Sequence, residues 1–291
     1  AGIRLPIMVM NTAEAAFDSM LQYKLEPELY SFHILQSFLA HCRKQSVHRY
    51  PVHIKLDTGM HRLGFVAADM LDLLACLQEQ DTLQIQSVFS HLAGSDDAQL
   101  DYFTQEQAAA FEQMCAEIES VVQYPFIRHI ANTSAIHRHP ELQLDMVRLG
   151  IGLYGVDRRL HLDNVTTLKT TISQIKQVKP GESVGYSRKG MVQKDTTVAT
   201  VRIGYADGYT RIFGNGQGKM MINGVLVPVI GNVCMDMTML DVTGVDADEG
   251  DEVLVFGEAL PVSTLAEWAG TIPYEILTNV SQRVKRIYFD L

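Results

Sequence analysis

Val184-Gly185-Tyr186-Ser187 sets a phenol beside a glycine at the expected end of a strand. Tyrosine has an unperturbed pKa of about 10, so it takes protons near neutral pH only where neighbours favour the phenolate. Upstream, Arg148-Leu-Gly-Ile-Gly-Leu-Tyr-Gly puts an arginine before glycines whose backbone N–H groups can approach a phosphate closely. Thr133 and Ser134, in Ala-Asn-Thr-Ser-Ala, offer hydroxyls and amides for the same anion. Read alone, the glycines after Arg148 fit a sterically tight turn equally well.

Lys55-Leu-Asp-Thr-Gly-Met-His-Arg-Leu-Gly-Phe begins as a strand and turns at Gly59. Arg62 can offer a two-pronged guanidinium to a carboxylate, which lysine cannot match. Lys55 needs a partner if it is buried; a surface Lys–Asp pair is the plainer alternative. Gly204-Tyr-Ala-Asp-Gly-Tyr and Gly231-Asn-Val-Cys-Met-Asp are strand-to-loop junctions. Cys234 has a nucleophile's chemistry, but its strand context reads as packing. Three loop residues of His137-Arg-His-Pro cannot hold zinc by themselves, and no metal site is expected.

The elements that must position these groups fall into two patterns. In the first half, strands are expected over 6–10, 52–56, 85–90, 126–131 and 146–154. Amphipathic helices are expected over 13–21, 35–44, 68–79 and 105–121. Such alternation implies a parallel sheet, part of a (β/α)8 barrel, whose active face lies just after the strands. Arg62, His91, Thr133 and Arg148 fall there.

From 166 onward the pattern is mostly β, with strands expected over 166–178, 182–186, 196–205, 219–222, 225–229, 235–242 and 252–256. One helix is expected over 263–269, and Asn223-Gly224 is a strong hairpin signal. The expected class is therefore α/β plus β. The seam lies within 160–164, giving a partial barrel over 1–162 and a mostly-β domain over 163–291.

The net charge of −10 argues against non-specific binding to nucleic acid or to an anionic membrane surface. No apolar run approaches the roughly 20 residues that span a bilayer. The four cysteines form no Cys-x-x-Cys pair or disulfide framework, so the expected compartment is the cytoplasm.

In their order, Lys-Leu-Asp-Thr-Gly-Met-His-Arg-Leu-Gly, Asp-Met-Val-Arg-Leu-Gly-Ile-Gly-Leu-Tyr-Gly, Val-Gly-Tyr-Ser, Gly-Tyr-Ala-Asp-Gly-Tyr and Cys-Met-Asp closely resemble the alanine racemases. The resemblance covers essentially the whole chain. It implies a barrel that binds pyridoxal 5′-phosphate, a C-terminal β domain, and a head-to-tail homodimer with shared active sites. The implied reaction interconverts L- and D-alanine and supplies D-alanine for peptidoglycan.

By that resemblance Tyr186 is the catalytic base on one face of the cofactor-bound substrate, donated across the dimer. His91 lies beside it, and with His129 and Arg148 forms a network able to lower the phenol's pKa. Arg148 faces the pyridine nitrogen. Thr133 or Ser134, Gly150, Ile151 and Tyr274 hold the phosphate. Arg62 and the Met235 N–H bind the substrate carboxylate, Tyr205 lines the access path, and Lys55 matches a carbamylated lysine that orients Arg62.

The family's cofactor-anchoring lysine, which is also the second base, sits in a motif like Val-Lys-Ala-Asn-Ala-Tyr-Gly. Nothing here matches it, and Lys24 and Lys44 lie in the wrong context. The expectation is an N-terminally truncated barrel, inactive alone. The segments Met8-Val-Met-Asn and Leu25-Glu-Pro-Glu-Leu-Tyr resemble forms fused behind a cell-wall ligase. Alternatives are a serine or broad-specificity racemase and a non-catalytic pyridoxal phosphate-binding homologue; the strands after Asn164 argue against the last.

Overall fold

A computed structural model describes residues 2–78, 80–157, 160 and 162–289. Glu79, the expected end of the helix from 68, and His161, inside the expected seam, lie outside them. The chain forms two compact units, one ending at Gly150 and one beginning at Ile151.

The first unit alternates strand and helix: β1 (Met8–Val9), α1 (Phe17–Tyr23), β2 (Glu26–Leu29), α2 (Phe32–Lys44), β3 (Tyr50–Lys55), α3 (Met70–Gln78), β4 (Leu83–Phe89), α4 (Asp101–Val122), β5 (Ile127–His129) and α5 (Thr133–Arg138). The strands pair in sequence order, and every pair is parallel. Parallel strands are covered on both faces, and β3 is accordingly buried along nearly its whole length. Helix side chains Phe17, Leu35, Phe38, Leu73 and Phe111 pack with strand residues Leu29, Val52, Ile54, Ile85 and Val88 in one core. Each such burial contributes about 1.5–3 kcal/mol. Ser31 and Asn132 cap α2 and α5 by accepting from the N–H groups of Ile34 and Ala135.

The second unit has a six-stranded antiparallel sheet ordered β11-β10-β13-β6-β9-β12 and a small β7–β8 ribbon. Its elements are β6 (Leu168–Val178), β7 (Ser183–Val184), β8 (Gly190–Met191), β9 (Thr196–Val201), β10 (Lys219–Ile222), β11 (Val225–Pro228), β12 (Thr238–Asp241), β13 (Glu252–Phe256), α6 (Val262–Ala269) and α7 (Pro273–Asn279). Asn223 and Gly224 both have positive φ, 49° and 80°, as a type I′ turn between β10 and β11 requires. A second core gathers Ile172, Val201, Phe213, Met220, Val253 and Leu265. Among the described residues no helix is long and apolar enough to cross a membrane.

Four of the expected strands need correction. The run 146–154 is not a strand: after the Arg148 N–H bonds Ala131 O, the N–H groups of Gly150 and Ile151 turn to side-chain hydroxyls, and residues Ile151–Tyr154 form a 3-10 turn. The run 182–186 stops at Val184, because Gly185 (φ 76°) turns the chain and Tyr186 opens a short 3-10 segment. The strands expected over 196–205 and 235–242 are trimmed to β9 and β12, their loop ends pairing with each other instead.

Candidate active site

Three adjacent strands of the first unit end on Lys55 (β3), Phe89 (β4) and His129 (β5). The Phe89 ring organises them. His129 stacks on it with ring centres 4.9 Å apart, Lys55 Nζ lies 4.4 Å from its centre, and the Arg148 guanidinium carbon lies 5.3 Å away.

Arg148 is held almost entirely by acceptors. Nη1 donates to Nδ1 and the carbonyl of His129, and Nη2 to the carbonyls of Ser90 and Ile130 at 2.6 and 3.2 Å. His91 Nδ1 lies 3.4 Å from Nη2. Burial lowers Arg148 to about 10, with the Glu28 carboxylate opposing, so the guanidinium stays charged at neutral pH. Burial, then Arg148, pushes His91 down to about 4 and His129 to about 3, leaving both rings neutral. Lys55 is only 5% exposed and is driven to about 8, first by burial and then by Arg148, again against Glu28. Arg62 sits on the exposed loop after β3, where the Asp57 carboxylate accepts from the N–H groups of Gly59 and His61.

Thr133, buried in the first turn of α5, accepts the Gly150 N–H on its hydroxyl at 2.9 Å. Ser134 follows it, half-buried.

In the second unit the Tyr274 hydroxyl accepts from the Ile151 N–H at 2.9 Å. Tyr186 is 71% exposed, and its carbonyl is anchored by Asn232 Nδ2 at 3.0 Å. The Tyr205 N–H bonds Cys234 O, and the Ala206 N–H bonds Met235 O, both at 3.0 Å. These two loops are tied by Arg283, whose Nε bonds Asp207 at 2.7 Å and whose Nη2 bonds Asp236 at 2.6 Å. Burial raises the Cys234 thiol, which disfavours the thiolate a nucleophile needs. His139 is engaged near Asp101 and Glu141 beside the Arg138–Asp101 ion pair, a structural network.

Sequence reasoning missed Phe89, the Glu28 carboxylate and Arg283. Glu28 lies in Glu-Pro-Glu-Leu, whose charges and proline disguise a buried strand. Nothing in the sequence ties Arg283 to Asp207, 76 residues away.

The donor set suits a phosphorylated pyridine. Within the first unit it offers the Thr133 hydroxyl and the Gly150 amide, suited to phosphate, and a charged guanidinium among neutral imidazoles, suited to a ring nitrogen.

Comparison with known sequences gives the same picture. The alanine racemase N-terminal domain matches residues 1–158 and the C-terminal domain matches 165–288. Alanine racemase 1 of Clostridium acetobutylicum is 36% identical over 99% of this chain and 78% of its own length. The structure of the Clostridium difficile alanine racemase superposes with a TM-score of 0.89 at 34% identity, covering 99% of this chain and 77% of that one. The Bartonella henselae alanine racemase, solved with covalently bound pyridoxal phosphate, also gives 0.89 at 30% identity, covering 98% and 79%. Two matching domains that together span nearly all 291 residues place this chain in the alanine racemase family.

Proposed function

We propose that the protein interconverts L- and D-alanine with pyridoxal 5′-phosphate, supplying D-alanine for peptidoglycan in the cytoplasm. The observation that carries this reading is Arg148: a half-buried, charged guanidinium flanked by two neutral imidazoles. Such a group donates hydrogen bonds without surrendering its proton. The cofactor, when bound, supplies the electron sink that makes the substrate's α-proton acidic.

In this reading Thr133, Ser134, Gly150, Ile151 and Tyr274 hold the phosphate, and Arg148, backed by His129, faces the ring nitrogen. Arg62 and the Met235 N–H bind the substrate carboxylate. Tyr186 takes or returns a proton at its phenol oxygen with His91 beside it, and Tyr205 lines the access path. Two subunits form a homodimer in which Tyr186 and Tyr205 serve the partner's barrel. The free-base fraction of Lys55, present because its amine is lowered to about 8, suits carbamylation, which would set a negative charge beside Arg62. The domain seam is assigned to 162/163, between the reach of the two family domains.

The anchoring lysine's motif has no match in these residues. Turnover is therefore assigned to protein that carries that lysine, and these 291 residues alone are expected to orient substrate without racemising it. Formation of D-alanine from L-alanine by lysine-bearing protein is the test. Absence of D-alanine with cofactor supplied contradicts the assignment.

A further inference from the structure

Behind Arg148 a row of side chains crosses the first sheet, one from each of four neighbouring strands. Glu26 opens β2, His53 lies on β3, Ser87 on β4 and His129 ends β5. His53 and Ser87 are register partners, so their side chains leave the same face. The contacts are continuous: Glu26 Oε2 to His53 Nε2 at 2.9 Å, His53 Nδ1 to Ser87 Oγ at 2.7 Å, and Ser87 Oγ to His129 Nε2 at 2.9 Å. His129 Nδ1 then meets Arg148 Nη1.

The direction of every hydrogen bond follows from its two ends. A guanidinium only donates, so His129 Nδ1 must accept and the ring proton sits on Nε2. That Nε2–H donates to the Ser87 oxygen, which leaves the Ser87 hydroxyl proton for His53 Nδ1. The His53 proton then sits on Nε2 and is donated to the Glu26 carboxylate, which only accepts. Ser87 and His129 are fully buried and His53 nearly so, and a reversed link would leave a buried donor facing a donor. Burial also lowers both imidazoles, in keeping with neutral rings that each carry one proton.

We propose that Glu26, His53 and Ser87 are positioning residues for Arg148: a one-way hydrogen-bond chain, ending on a carboxylate, that keeps His129 as the acceptor facing the guanidinium. Its value to catalysis rests on the reading that Arg148 serves the cofactor ring. None of the three touches substrate or cofactor in that reading. They act through His129, whose ring orientation sets the plane of the guanidinium.

The test is long-range 1H–15N NMR of the imidazole nitrogens at neutral pH. In the parent protein both His53 and His129 are expected to show a protonated Nε2 and a bare Nδ1. Glu26→Gln keeps an acceptor oxygen and should preserve that pattern; Glu26→Leu removes it and should split His53 between two tautomers. In the racemising protein Glu26→Leu is expected to lower kcat about tenfold with KM unchanged. The proposal is overturned by a proton on Nδ1 of His129, by doubly protonated rings, by a His53 tautomer indifferent to Glu26→Leu, or by an unchanged kcat. The parent spectrum requires no variant to fold. A parent that makes no D-alanine contradicts the proposed function, and the tautomers still judge the chain.

Discussion

Lys55 Nζ lies 4.4 Å from the centre of the Phe89 ring, and the burial around that contact drives the amine down to about 8. A lysine whose folded pKa lies below its unfolded value binds fewer protons folded than unfolded between the two. Stability therefore rises with pH from about 8 to 10.5 and sits on its lower plateau below that window. The shift corresponds to roughly 3 kcal/mol. Lys55→Met is expected to flatten this rise. Urea midpoints in bicarbonate-free buffer at about pH 7 and about pH 10 measure it.

Arg62 stands on the exposed loop that Asp57 shapes by accepting from Gly59 and His61. Lysine keeps the charge but loses the planar fork. Arg62→Lys should raise KM for alanine about tenfold while pyridoxal phosphate binding stays at the parent level. Steady-state kinetics of lysine-bearing protein, beside cofactor absorbance, checks both parts.

Gly204 lies where the Tyr205 loop meets the Cys234–Met235 backbone. A Cβ there would run into the carbonyl oxygens of Cys234 and Met235, and backbone cannot yield as a flexible side chain does. Gly204→Ala is expected to cost about 2–3 kcal/mol of stability, read as a lower urea midpoint at unchanged slope.

Arg283 holds the same two loops through Asp207 and Asp236. Arg283→Leu should leave the fold intact and speed amide exchange at Tyr205 and Ala206, whose N–H groups bond Cys234 and Met235. Hydrogen exchange of those two amides against the β9 amides measures the effect.

The sequence made the architecture legible where side-chain pattern governs. β10 and β13 begin and end where alternation and turn residues place them, and the Asn223-Gly224 hairpin follows from the φ values those residues tolerate. It was misleading where backbone groups find side-chain partners. Gly150 and Ile151 bond Thr133 and Tyr274 rather than a neighbouring strand, so an apolar, strand-like run folds as a turn. Strand β2 was hidden because two glutamates and a proline interrupt the apolar pattern a buried strand shows. The partners of Glu26 and Glu28, His53 and the Asn11 N–H, lie 27 and 17 residues away. Arg148 and His129 were legible as a pair through the family motif, whereas the buried acceptors that fix Arg148 depend on the folded sheet.

Tyr186 is proposed as the base on one face of the substrate. Its most direct test is the washout of α-deuterium from L-alanine into solvent, comparing Tyr186→Phe with the parent in lysine-bearing protein. Loss of washout from L-alanine, with cofactor still bound and exchange on the D-alanine face retained, is the predicted result. Washout from L-alanine at the parent rate would contradict it.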